Sequence, residues 1–134
     1  MTDIHSALIY IMVLASASDG SMSDEELRTF GEMVRFLPVF SGFDPDDLPR
    51  ITAECSQLLQ PEDGLDRTLD TIRDALPDFL RETAYAIACD VVAADGSASQ
   101  EELRLLEMLR HRLGVDRLAA AGIERGARAR HMTL

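Results

Sequence analysis

The chain has no lysine and no tryptophan, and only seven aromatic residues among 134. The missing lysine reflects genome composition more than function. The scarcity of aromatics has a structural consequence, because a core must then be built from Leu, Ile, Val, Met and Ala, which suits close helix packing better than a sheet. Runs of β-branched residues with period two are absent, and with them any strand signal. No apolar stretch approaches the ~20 residues that span a bilayer, and the opening Met1-Thr2-Asp3-Ile4-His5 has no cationic leader segment. Cys55 and Cys89, the two cysteines, are far apart in sequence within apolar runs, the pattern of lone buried thiols rather than of a bridge. A reducing, cytoplasmic setting is expected. His5, His111 and His131 share no metal-ligand spacing, and there is no glycine-rich phosphate loop, no HExxH and no Ser-His-Asp order.

Charge is plentiful but lopsided. Residues 1–102 carry 6 Arg against 21 acids, a balance of −15, whereas 103–134 carry 7 Arg against 3 acids, a balance of +4. A basic tail on an acidic body is not the continuous positive face that nucleic acid requires. Either the tail pairs with the body's acids or it meets an anionic lipid surface or another protein.

One phrase occurs twice, at an offset of 76 residues. Asp19-Gly20-Ser21-Met22-Ser23-Asp24-Glu25-Glu26-Leu27-Arg28 returns as Asp95-Gly96-Ser97-Ala98-Ser99-Gln100-Glu101-Glu102-Leu103-Arg104, identical at eight of ten positions. Each copy follows an apolar run and leads into an amphipathic one. Helix grammar explains much of it. Gly20 and Gly96 stop a helix; Ser23 and Ser99 cap the next one, with Glu26 and Glu102 closing a capping box. Met22 and Leu27 form a hydrophobic staple, for which Ala98 is the weaker counterpart of Met22.

Around these turns the periodicity predicts helices at 3–17, from Ser23 to Pro38, from about 46–48 to Gln60, at 62–76, at 79–94, and from Ser99 to Gly114. Residues 116–130 read as one helix or two short ones around Gly122, with Asp116 a poor cap and fraying from Arg125 onward. Gly64 weakens the start of the fourth helix. The expected architecture is all-α: one domain over 1–134, a pseudo-two-fold bundle of about seven helices with an internal repeat at about 4–37 and 80–113.

The phrase also matches the second half of a calcium loop, D-x-[DN]-x-[DN]-G-x5-E. The first and third loop positions fall on Ala15 and Ala17, or on Val91 and Ala93, and offer no side-chain oxygen. Each copy alone is therefore half a site. Capping accounts for the Gly, Ser, Leu and final Glu; it leaves Asp19, Asp95 and the density of acids unexplained. If the two halves pack about a pseudo-two-fold axis, the acidic turns face one another and repel unless a cation or a basic partner sits between them. Asp90, late in an apolar helix, is either a satisfied core carboxylate or a further oxygen facing the second turn.

An apolar helix ending in Ala-Asp-Gly, then a polar stretch and Glu-Glu, near both ends of a helical chain, resembles the TerB-like tellurite-resistance family. The matching stretches are Ala17-Ser18-Asp19-Gly20 to Glu25-Glu26 and Ala93-Ala94-Asp95-Gly96 to Glu101-Glu102, and the likeness runs from about Ile4 to Val115. The resemblance implies a seven-helix pseudo-symmetric bundle with an acidic cluster credited with binding cations. By position that cluster is Asp19, Glu25, Glu26, Asp95, Glu101 and Glu102. It also implies a bacterial cytoplasmic protein of tellurium and stress resistance, placed with other resistance or membrane-associated proteins at the inner face of the membrane. Ser18, where the second copy has Ala94, and the Arg-rich tail beyond Gly114 depart from the pattern.

Two functions from different classes follow. One is a non-enzymatic accessory module whose acidic cluster holds a divalent cation, of unspecified identity, or a basic partner. The other is a helical interaction scaffold without an ion site, its acids serving as caps and solvated surface. A carboxylate di-metal enzyme is disfavoured, because such sites use Glu-x-x-His pairs and the chain has none.

Overall fold

Ile4–Ala15 forms helix α1, and its composition puts it at the centre. Apolar residues occupy every side of it rather than one stripe, so it has no face fit for water. In the computed structural model, which describes residues 2–16, 23–94, 96 and 98–134, Leu8, Ile9, Ile11 and Met12 are fully buried. Asp3 caps the helix by accepting from the Ser6 amide at 2.7 Å, a bond that holds its carboxyl below the usual carboxylate range.

Helices α3 (Leu48–Leu58), α4 (Gly64–Ala75), α5 (Arg81–Ala94) and α6 (Gln100–Leu113) pack around α1, and α7 (Arg117–Arg130) packs on α5. Helix α2 (Asp24–Phe36), between α1 and α3 in the chain, buries Phe30 and Val34 and leans on the 3-10 turns Pro38–Phe40 and Pro45–Asp47. In that segment Phe40 stacks on His5 and Phe43 meets it edge-on, and the His5 Nε2–H donates to the Val39 carbonyl at 2.9 Å. The described residues contain seven α-helices, three short 3-10 turns and no strand, which is the all-α architecture expected from the missing β pattern.

Two expectations about the last helix do not hold. α7 is continuous through Gly122 to Arg130, and Asp116 is a working cap that accepts from the Ala119 amide at 2.8 Å. The end does not fray because Ala127 is buried against α5 and Arg130 is tied to Asp90 at 2.7 Å. That pair also resolves the status of Asp90 as a satisfied carboxylate, with His131 Nδ1 a further 4.0 Å contact.

Gly64 is not a weak point but a requirement. A Cβ there would stand 2.6 Å from the Leu58 carbonyl oxygen and 2.8 Å from Leu59 backbone atoms, so only glycine lets α4 start this close to the end of α3.

Candidate functional site

The two repeated helix starts share one geometry. Ser23 Oγ accepts from the Glu26 amide at 3.1 Å while Glu26 Oε1 accepts from the Ser23 amide at 3.0 Å. Ser99 and Glu102 repeat this at 3.1 and 2.8 Å. Both capping boxes read from the sequence are thus closed, and the acids of the first turns lie where the helix dipole favours negative charge. Gly96 takes the left-handed conformation (φ +85°) after α5. Asp19 and Asp95, the aspartates of the candidate cluster, lie outside the described residues. So do Gly20 and Met22, and with them the first helix stop and the first staple.

The four glutamates of the candidate cluster are not equivalent. Glu25 and Glu101 are exposed, and Glu26 is half-buried. Glu102 is only 3% exposed. Its Oε1 closes the capping box, whereas its buried Oε2 finds no hydrogen-bond donor among the described residues. A buried carboxylate oxygen without a partner carries a desolvation penalty of about 1–3 kcal/mol or more. Sequence reasoning treated Glu26 and Glu102 as interchangeable. The difference comes from packing and leaves no mark on the repeated phrase.

A cavity of about 300 Å³ lies beside the first copy, lined by Ser16 at the end of α1, Ser23, Glu25 and Glu26 at the start of α2, and Val91 and Ala94 at the end of α5. The ends of α1 and α5 therefore open onto the same space, and each of these ends leads directly into one copy of the repeated turn. Among the described residues no three His, Cys, Asp or Glu side chains are grouped so as to hold a metal ion. The described glutamates do not make a complete site by themselves.

The Arg-rich tail pairs only in part with acids of the body. Arg112 reaches Asp70 at 2.6 Å and Asp66 at 3.4 Å, and Arg130 reaches Asp90. Two further contacts had no sequence signal. Tyr10 on α1 donates to Glu54 on α3 at 3.4 Å, and Tyr85 on α5 donates to Glu124 on α7 at 2.6 Å. Both cysteines are free and buried, and burial pushes each thiol up to about 12.

The chain is an all-α bundle with two capped, acid-rich helix starts, the first of which lines a cavity together with the ends of α1 and α5. Over residues 5–125 the chain matches the family described as Tellurite resistance protein TerB, and it belongs to that family. No curated protein and no solved structure matches the chain.

Proposed function

We propose that this chain is a non-enzymatic accessory module of the TerB family in which the two acidic turns together hold a divalent cation or a basic surface of a partner protein. The observation that carries this reading is Glu102. A capping box needs one carboxylate oxygen, and Oε1 supplies it. The second oxygen is buried without a donor among the described residues, which helix grammar does not require. A cation or a guanidinium delivered from outside relieves that penalty. The shared cavity between Glu25, Glu26 and the end of α5 supports the same reading, since Asp95 follows Ala94 directly and Asp19 follows Ser16 by three residues.

Glu102 and Glu26 anchor the proposed ligand set, Glu25 and Glu101 supply exposed oxygens at its rim, and Asp19 and Asp95 complete it. The family is generally non-enzymatic. No helix among the described residues is long and apolar enough to cross a membrane. Residence in the cytoplasm, with other resistance proteins at the inner face of the membrane as partners, belongs to the proposal through the family.

The competing reading is a scaffold whose acids are caps and solvated surface. What favours it is that each box is closed by its own Ser and Glu side chains. Thermal melting with millimolar Ca²⁺, Mg²⁺, Mn²⁺ or Zn²⁺ separates the two, because a ligand bound only by the folded chain raises its stability. The cation reading expects at least one ion to raise Tm, and Glu102→Gln or the pair Asp19→Asn with Asp95→Asn to abolish that rise. If no ion moves the curve, the cation version is wrong. A pull-down from cell extract then tests the basic partner, which must be lost in the same variants.

A further inference from the structure

A second, larger hollow has no part in the acidic turns' proposed role. Helices α6 and α7 both pack on α5 but make no substantial contact with each other. The pairs Tyr85–Glu124 and Asp90–Arg130 show that α7 runs parallel to α5. The contact of Arg81 with the Leu113 carbonyl shows that α6 runs antiparallel to it. The two flanking helices are joined by the short link at Gly114 and separate above it. The groove left between them measures about 600 Å³ and ends at Gly96 and Ala98 of the second turn.

Its walls are apolar, formed by Val92, Leu103, Leu106, Ala127 and Met132. Leu103 is 53% and Met132 69% exposed, so the fold leaves apolar surface open to water here. Two guanidiniums, Arg110 and Arg128, stand at its edge. Arg110 donates to the Val115 carbonyl at 3.4 Å and faces His111. Neither arginine has a carboxylate within ion-pair distance among the described residues. Two acids, Glu107 and Glu124, also line the groove, and Glu124 accepts from the Tyr85 hydroxyl.

We propose that this groove binds a single-chain amphiphile with an anionic head, of the fatty-acid type. The alkyl chain lies along the floor between Leu106 and Ala127, and the carboxylate meets Arg128 and Arg110. The volume is that of a small-ligand pocket. The arginines set the head group: both guanidiniums line the groove without a carboxylate in ion-pair distance among the described residues, which leaves them open to an anion.

The test uses the full chain stripped of bound lipid, titrated with dansylaminoundecanoic acid and competed with dodecanoate or dodecanol. One saturable site is expected, displaced by dodecanoate. Leu103→Glu and Ala98→Glu, both at exposed positions, place a carboxylate on the apolar wall and are expected to weaken binding about tenfold or more. Two such variants keep the test usable if one fails to fold by circular dichroism. Arg128→Glu is expected to weaken dodecanoate about tenfold and to leave dodecanol unchanged. No saturable binding up to ~100 µM probe overturns the proposal. Binding that ignores the wall variants, or an Arg128→Glu effect equal for acid and alcohol, overturns it too. A dimer that Leu103→Glu converts to monomer, with no displacement by dodecanoate, assigns the groove to a second copy instead.

Discussion

The hydroxyl of Tyr85 donates to Oε2 of Glu124 at 2.6 Å, tying α5 to α7 near the middle of both helices. The ring is 1% exposed, and burial together with this bond raises the phenol's pKa. Tyr85→Phe keeps the packing and deletes the donor. Glu124 is exposed and regains water, so the expected loss is about 1–2 kcal/mol rather than the larger cost of orphaning a buried partner. Urea unfolding measures it. An unchanged midpoint would show that water replaces the bond without cost.

The two capping boxes give a prediction that separates helix grammar from site chemistry. Ser99→Ala removes the acceptor for the Glu102 amide and should cost about 1 kcal/mol in urea unfolding without added metal. Glu102→Gln keeps one oxygen for the Ser99 amide and replaces the unpartnered carboxylate oxygen by a neutral group. Without metal it should therefore be at least as stable as the parent. A loss above about 1 kcal/mol in the absence of any ion would mean that the charge itself is needed by the fold.

The fold was largely legible because its signals are local. The Ser-x-x-Glu spacing of Ser23–Glu26 and Ser99–Glu102 placed two helix starts, and both boxes close. The apolar periodicity placed a first helix at 3–17, and α1 covers Ile4–Ala15. Failures came from a local cap made by a backbone amide and from contacts between helices. Asp116 has no polar partner three residues on and looked inert, yet its cap is completed by a backbone amide. Gly64 looked like a helix weakener, because the Leu58 carbonyl that excludes a side chain there is positioned by the α3–α4 turn. In the candidate site, the phrase identified the acids but not the burial that sets Glu102 apart from Glu26, since burial depends on which helices lie opposite.

Two glycines in helices should respond to alanine with opposite signs. Gly122 sits in the exposed interior of α7, and a Cβ there would meet nothing within 4 Å. Gly122→Ala should stabilise by roughly 0.5–1 kcal/mol through helix propensity. Gly64→Ala drives its methyl into Leu58 and Leu59 backbone, which cannot yield as a side chain would. It should destabilise by roughly 1–3 kcal/mol, as overpacking does. Melting curves of the two variants decide; a stabilised Gly64→Ala would mean that α3 and α4 are not held this closely.

Cys55 and Cys89, together with the buried phenol of Tyr85, weaken the fold at alkaline pH. Both thiols are buried, and burial raises each to about 12. In the unfolded chain a thiol ionises near its ordinary value of about 8.5. The folded pKa lies above the unfolded one, so the neutral thiol's contribution is complete below about pH 8.5 and is lost as pH rises toward 12. Within that window the unfolded chain gives up protons that the folded chain keeps. Stability should fall by roughly 1.4 kcal/mol per pH unit for each thiol. Replacing both by alanine lowers stability at neutral pH through lost packing but removes this part of the slope. Denaturation midpoints from pH 8 to 11 for the parent and the double variant measure the difference. Equal slopes would mean that water reaches the thiols in the folded chain. A thiol reagent at pH 8 gives an independent check, since it should react with neither cysteine until denaturant is added.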